Sequence, residues 1–460
     1  MGVKDILLNL PEVAGPSERR LPFNEKLKWT GIVLVLFFAL GLIPLHGLGA
    51  NSLSQFQFLS IILGAEFGSI ISLGIGPIVT ASILLQLLNG SGVLKFDLST
   101  PDGKRLFQGV QKGLAMAFIV FEAMIYVYTG GLAPGAGGSN LMLVLQLAIG
   151  GLLILFMDEV VSKWGFGSGV SLFIAAGVSK EIVIRLLSPL NSTGSLAFTT
   201  GEAPVGALLA IFYFFVQGDF RQVLANVLVI GTTLLVFVIA VYAQSMKVEL
   251  PLSFGRIRGH GVRWPLAFIY TSNIPVILTA ALLANVQLWA RLLQSKGFTF
   301  LGTFNPSGEA TGFVSLIRPV NLVNNLATGN LNFADIIPRI IVFTLIMMGG
   351  AILFSLFWVK TAGQDARSQA KQIMSSGLQI PGFRRDERVV ESLLDRYIPA
   401  LTVMGAITVG FLASFADVMG ALSSGTGLLL TVMIVYKLYE EIAQRHAVDM
   451  NPMLRKFIRE

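Results

Sequence analysis

Residue types that could do chemistry are scarce in this chain of 460 residues, and they are not clustered. There is no cysteine, which excludes disulfides, thiol chemistry and iron–sulfur clusters. The three histidines, His46, His260 and His446, lack metal-ligand spacing. Neither a phosphate-binding G-x-x-x-x-G-K-[ST] nor a dinucleotide-binding G-x-G-x-x-G in strand–turn–helix context is present. We therefore expect no catalysis, no metal site and no bound cofactor, and an ATP-driven pump is disfavoured.

One carboxyl group, that of Glu122, lies well inside an apolar segment, whereas Asp158, Glu159 and Asp417 lie at segment ends. An ionisable residue at membrane depth is a functional candidate by default and is expected to face the interior of a helix bundle. The alternative is a purely structural hydrogen bond to a threonine or asparagine of a neighbouring helix. A transporter coupled to protons or sodium would usually carry more than one such carboxylate.

Ten apolar segments must position these residues. The composition, 54% hydrophobic and 13% charged, is typical of an all-α polytopic membrane protein, and a run of about 20 apolar residues crosses roughly 30 Å of hydrocarbon. The predicted spans are residues 29–45, 70–88, 114–128, 141–157, 170–187, 224–243, 266–289, 336–359, 397–416 and 428–439. A further stretch, 203–216, has only 14 residues and is predicted to be interfacial or re-entrant.

Basic residues are concentrated in alternate connections between these spans. The N-terminus, the loops after spans two, four, six and eight, and the C-terminal segment counted from Lys437 hold 26 of the 33 lysines and arginines. Because cytoplasmic loops carry the basic excess, this distribution predicts a multi-pass protein of the plasma membrane with both termini in the cytoplasm. The predicted regions are a cytoplasmic N-terminal segment (1–28), an N-terminal half (29–190), an external connection (191–223), a C-terminal half (224–439) with cytoplasmic loops at 246–265 and 360–396, and a cytoplasmic tail (440–460).

The segment QFLSIILGAEF at residues 57–67 is apolar but supplies only two or three helical turns, too short to span. The residues that follow, including Gly68, Gly74 and Pro77, interrupt a helix. One interpretation is a short movable segment inside a cavity, since broken helices are tolerated there at membrane depth. The other is an ordinary helix of an outer loop.

Two short sequence matches suggest an internal repeat. GPIVTA at 76–81 in span two resembles IPVILTA at 274–280 in span seven, and each has a proline followed two residues later by a branched aliphatic residue. GSG at 167–169 and SGTG at 424–427 open spans five and ten. Each pair is five spans apart, an odd number that reverses direction, so the matches predict an inverted repeat.

Two predicted cytoplasmic loops are long and rich in arginine, including Arg256 and Arg258 in the first and Arg384 and Arg385 in the second. The topology rule alone would explain their charge. The same clusters also suit docking to the phosphate backbone of ribosomal RNA or to anionic lipid head groups.

Six motifs together resemble one family. They are KLKWTGIVLVL (26–36), LGIGPIVTA (73–81), GSGVSLFIAAGVS (167–179), SNIPVILTAAL (272–282), GFRR (382–385) and PALTVMGA (399–406). The chain resembles the SecY-type alpha-subunit of the protein-conducting channel, in its archaeal and eukaryotic branch, over nearly its whole length.

The resemblance implies a ten-span clamshell of two inverted pseudo-symmetric halves of five spans, with a pore closed by an aliphatic ring and a short plug helix. The ring would be Ile75, Val79, Val170, Ile174, Ile277 and Leu430. The plug would include Ile61, Ile62, Leu63 and Gly64, and the lateral gate would include Thr80, Glu122 and Asn285. The ribosome would dock at Arg256, Arg258, Arg384 and Arg385. The implied partners are SecE-like and SecBeta-like small membrane subunits, the ribosome, signal sequences, nascent polypeptides and the lipid bilayer.

The main competing prediction is a secondary transporter for a small molecule. It would share the span count and the inverted repeat, but it would need a polar binding site at the midplane with coupling carboxylates. The chain instead places aliphatic residues at these positions in four spans.

Overall fold

The computed structural model describes residues 9–17, 21–51, 64–90, 93–94, 96, 100–135, 137–191, 195–254, 261–271, 274–295, 298–300, 302–304, 310–329, 332–375, 378–379 and 386–450. The chain divides into two compact units. The first unit comprises residues 1–178 and 434–460, and the second comprises residues 179–433.

Helices dominate the described residues. They are α1 (Phe23–Gly41), α2 (Gly76–Gly90), α3 (Pro101–Tyr128), α4 (Asn140–Trp164), α5 (Gly169–Leu187), α6 (Ala197–Thr200), α7 (Ala207–Gln217), α8 (Phe220–Ser245), α9 (Ile274–Ser295), α10 (Phe313–Leu316), α11 (Leu322–Thr328), α12 (Phe333–Thr361), α13 (Ala366–Ser375), α14 (Glu387–Val418) and α15 (Gly425–Met450). The strands are β1 (Leu48–Asn51), β2 (Leu132–Pro134), β3 (Lys247–Phe254), β4 (Gly261–Ala267) and β5 (Leu378–Gln379).

Each predicted span overlaps one of the longer helices, namely α1–α5, α8, α9, α12, α14 and α15. Among the described residues, five of these helices, α3, α4, α8, α12 and α14, are long and apolar enough by themselves to cross a membrane. The chain therefore has several membrane-spanning candidates, and the total of ten remains a prediction.

The first unit is built on α1 to α4, with α2 packed on α3, and α4 packed on both α1 and α3. The buried stripe of α2 consists of Ile78, Ala81 and Leu85, the spacing of one face of a helix. Span two starts later than predicted, because residues 70–75 form turns and α2 begins at Gly76. Ser72 helps to stabilise these turns, since its Oγ donates to the carbonyl oxygen of Ser69 at 2.5 Å and accepts from the N–H of Gly68 at 2.9 Å.

The second unit has its membrane core where α12 packs against α9 and α14. Buried residues from these helices, from α8 and from the start of α15 form one cluster that includes Val236, Met347, Ala351, Ala413 and Met433.

Strands β3, β4 and β5 form an antiparallel sheet of order β4-β3-β5, with Leu250 opposite Trp264 and Phe254 opposite Leu378. The sheet was not among the predicted elements. Its signal in the sequence is the alternation in β3, where Leu250 and Leu252 are buried while Glu249 and Pro251 are exposed. The buried side of the sheet packs on α13 and α14.

The apolar stretch at 203–216 contains α7, which has 11 residues. At 1.5 Å per residue its length is about 16 Å, which is too short to cross a bilayer. Phe212, Phe215 and Val216 on α7 are exposed, whereas Ala207 and Ala210 are buried. The length agrees with an interfacial or re-entrant segment.

Candidate pore ring, plug and gate

Two ring candidates, Val79 and Ile277, occupy the same position in different helices. Each is the fourth residue of its helix, α2 or α9, and each follows a proline at the second residue. Each also directly follows the first residue of the buried stripe of its helix, Ile78 in α2 and Val276 in α9. Both side chains are half-buried, about 100° around the helix from that stripe residue.

Two other ring candidates, Ile174 and Leu430, also share a position. Each is the sixth residue of its helix, α5 or α15, and the side chains are 8% and 7% exposed. Of the remaining two candidates, Ile75 is buried in the turn before α2, and Val170 is half-buried at the second residue of α5. All six candidates thus lie within the first six residues of four helices or directly before one of them.

The described end of the predicted plug lies against α5. Gly64 has a left-handed φ of +51°, and a Cβ built on it would lie 3.5 Å from the carbonyl carbon of Phe173, the residue before Ile174. The plug candidates Ile61, Ile62 and Leu63 lie outside the described residues.

The structure brings together two of the three gate candidates. The carboxyl group of Glu122 on α3 has the side chain of Thr80 on α2 as a hydrogen-bond partner. One turn further along α3, the ring of Tyr126 meets Phe67 edge-on at a centroid distance of 6.3 Å. Asn285 belongs to α9, and its side chain lies outside the described part of the chain. The Phe67–Tyr126 contact has no signal in the sequence.

The docking candidates Arg256, Arg258, Arg384 and Arg385 also lie outside the described residues. The structure does show what flanks them. Pairing of β3 with β5 joins the two basic loops in one sheet, and both arginine pairs are carried by segments that directly follow these two strands.

A segment near the N-terminus binds the end of α4, a contact that the sequence did not predict. Lys163 forms an ion pair with Glu12, Glu159 accepts from the N–H of Val13 at 3.0 Å, and Trp164 Nε1 donates to the carbonyl oxygen of Ala14 at 2.9 Å. The hydrogen bond from Lys163 and its positive charge hold the pKa of Glu12 below its usual value. A cavity of about 850 Å³ lies beside this segment.

Known proteins resemble this chain over nearly its whole length, in sequence and in structure. The profile of the SecY family matches residues 69–439. A protein translocase subunit SecY from Methanothermobacter thermautotrophicus is 47% identical over 98% of this chain and 96% of its own length. A solved SecY structure, whose plug domain is described as stabilising the closed state and maintaining a membrane seal, has a TM-score of 0.76 and 40% identity over 98% of this chain and 99% of that one. Sec61 from a canine ribosome-channel complex of the endoplasmic reticulum has a TM-score of 0.74 and 39% identity over the same shares of the two chains.

Proposed function

Because this chain belongs to the SecY family of protein translocase subunits, we propose that it passes secretory polypeptides across the plasma membrane and releases membrane segments sideways into lipid. It is a membrane channel protein, and in the proposed role it forms and breaks no covalent bond. Membership of this family decides against the secondary transporter.

The paired positions of the ring candidates carry the proposal. Val79 and Ile277 are fourth residues, Ile174 and Leu430 are sixth residues, and all four are aliphatic. A narrow aliphatic constriction dewets and so blocks ions, whereas branched side chains on separate helices can move aside for a peptide. We assign Ile75 and Val170 to the same ring, since they lie at the start of two of these helices.

We assign the plug to residues 57–67. The position of Gly64 against Phe173 supports this, since it brings the end of the segment next to Ile174. A plug that seals the channel from one side of the ring would leave its place when a peptide enters. The solved SecY structure with such a plug domain is the comparison that suggests this role.

We assign Thr80, Glu122 and Asn285 to a lateral gate. The Thr80–Glu122 pair supports this assignment, because a polar contact between two apolar helices is easily exchanged for contacts with an entering segment. Signal sequences would bind here on their way into lipid.

We further propose that both termini are cytoplasmic and that the loops with Arg256, Arg258, Arg384 and Arg385 bind the ribosome. The basic bias supports the orientation, and the shared sheet supports a common docking surface. SecE-like and SecBeta-like small subunits would complete the complex.

The test replaces Ile174 and Ile277 together by serine in purified channels reconstituted into liposomes. Hydration of the ring should let ions leak through resting channels. The matched control replaces Val183 and Leu282, exposed aliphatic residues of the same two helices, by serine and should leave the vesicles tight. Equal leakage from the two variants would refute the ring.

A further inference from the structure

Two buried threonines make the same pair of hydrogen bonds in different parts of the chain. Thr30 on α1 donates to the carbonyl oxygen of Lys26 at 2.8 Å and accepts the N–H of Phe166 at 3.1 Å. Thr233 on α8 donates to the carbonyl oxygen of Val229 at 2.8 Å and accepts the N–H of Leu422 at 3.0 Å. In each case a threonine on the first predicted span of one half binds the turn that leads into the last predicted span of the same half.

Two aspartates bind the first turns of the helices that follow these two turns. Asp158 Oδ1, on α4, accepts the N–H of Val170 at 2.8 Å. Asp417 Oδ1, on α14, accepts the N–H of Gly425 at 2.6 Å. The first N–H groups of a helix have no partner within the helix and carry partial positive charge. A carboxylate accepts their hydrogen bonds and also compensates this charge.

The residues bound by the two threonines are equivalent in register. Phe166 precedes Ser168 by two residues and Leu422 precedes Ser424 by two, and each serine is followed by the glycine that begins α5 or α15. The carbonyl oxygen of each serine accepts the N–H four residues later, at 3.1 Å for Ser168 and 2.8 Å for Ser424.

The two glycines are also packed alike. A Cβ built on Gly169 would lie 2.5 Å from Cα of Asp158, and one built on Gly425 would lie 2.0 Å from the carbonyl oxygen of Ala413. Each helix therefore starts in close contact with the helix that precedes it, so that its start has little room to move.

We propose that Thr30 with Asp158, and Thr233 with Asp417, form two equivalent clamps that set the positions of the ring residues Ile174 and Leu430. The proposal rests on the proposed function, in which these two side chains belong to the ring. Each lies six residues beyond its serine, about 9 Å along the helix axis. A helix start that frays or slides would therefore displace the ring residue and open the constriction to water. The four clamp residues are positioning residues, because they act on the ring through the helix starts that they bind.

The experiment uses four single variants of the whole channel: Thr30→Val, Thr233→Val, Asp158→Ala and Asp417→Ala. The conservative variants Thr30→Ser and Asp158→Asn retain an oxygen acceptor. Thr408→Val is the matched control, since Thr408 on α14 makes the same bond to the carbonyl oxygen four residues earlier, at 2.9 Å to Met404, without a clamp.

Amide hydrogen exchange of peptides covering 166–172 and 422–428 reports the helix starts directly, and ion conductance of resting channels reports the ring. In the valine and alanine variants we expect exchange at the affected helix start to be roughly tenfold faster, as for loss of a helix cap. Conductance per folded channel should rise severalfold, with recovery in the serine and asparagine variants and no change in Thr408→Val.

Unchanged exchange in the valine and alanine variants would overturn the clamps. The clamps would also be refuted if the valine and alanine variants conduct like the parent while the Ile174→Ser, Ile277→Ser double variant leaks. The ring would then exist, but its position would not depend on the helix starts. If the double serine variant does not leak, the ring assignment fails, and faster exchange alone still supports clamps at both helix starts.

Discussion

Replacing Gly150 by alanine should be one of the most damaging single-methyl additions in the first unit. Gly150 lies in α4, and a Cβ built on it would be 1.9 Å from the carbonyl oxygen of Ile70 and 2.8 Å from its carbonyl carbon. A hydrogen bond restrains the backbone of Ile70, because its N–H donates to the carbonyl oxygen of Ile43 at 3.0 Å. Either α4 or the turn at 70–75 must therefore move by about 1 Å to restore an ordinary contact distance.

The loss of stability depends on the kind of atom that the added methyl group would overlap. Overpacking of a core costs about 1–3 kcal/mol, and the upper part of this range applies because backbone adjusts less readily than a side chain. Gly349 in α12 provides the matched control, since a Cβ built there meets nothing within 4 Å. Alanine at position 349 should stabilise its helix by up to about 1 kcal/mol through higher helix propensity. The two alanine variants should therefore differ by roughly 2–4 kcal/mol.

Thermal unfolding of the two purified variants in the same detergent measures this difference. We expect Gly150→Ala to unfold about 2–4 °C below Gly349→Ala, since a chain of 460 residues shifts by roughly 1 °C per kcal/mol. Resting ion leakage should also rise in Gly150→Ala, because the displaced turn leads directly to Ile75. Midpoints that agree within about 1 °C would mean that α4 and the turn are not in the close contact described here.

Two further predictions concern the cytoplasmic face. Replacing Arg384 and Arg385 by glutamate should weaken ribosome binding and reduce the salt dependence of the affinity. Each lost phosphate contact lowers the slope of log affinity against log salt by about one. An unchanged slope would mean that these charges serve membrane topology alone. Acid should break the Glu12–Lys163 pair and release the N-terminal segment. Because the pKa of Glu12 is lowered, the ion pair stabilises the bound segment fully above the ordinary pKa of 4.5, and this stabilisation is lost as the pH falls through the lowered pKa. Trp164, whose Nε1 donates to Ala14, should report this release by its fluorescence, and Glu12→Gln should remove that pH dependence; a transition that survives in Glu12→Gln would assign it to another group.

Positions that depend on local pattern could be predicted from the sequence. The match between GPIVTA and IPVILTA identified Val79 and Ile277, and in the structure both are the fourth residue of a helix with proline at the second. Proline is well suited to the first turn, where its missing N–H would have had no partner. The predicted start of span two is six residues too early, because residues 70–75 are apolar enough to continue a span although hydrogen bonds of serine hold them in turns.

Contacts between distant parts of the chain could not be predicted in this way. Both serine–glycine motifs are visible in the sequence, and Asp158 and Asp417 stand there as residues at span ends. What joins them is long-range: Thr30 and Phe166 are 136 residues apart, and Thr233 and Leu422 are 189 apart. The three-stranded sheet was missed for a related reason, since β5 has only two residues and exists by pairing with β3.

The aspartates show why even an alignment of the two halves would have missed the clamps. Asp158 precedes Ser168 by ten residues, whereas Asp417 precedes Ser424 by seven, so aligning the serines leaves the aspartates three residues out of register. A loop of different length can still bring a carboxylate to the same helix start, because the bond requires a position in space and not a spacing in sequence. Asp158 binds the second residue of α5 and Asp417 binds the first residue of α15. The different spacing therefore argues that a carboxylate in the first turn is the feature retained in both halves, and that the length of the connection is free to vary.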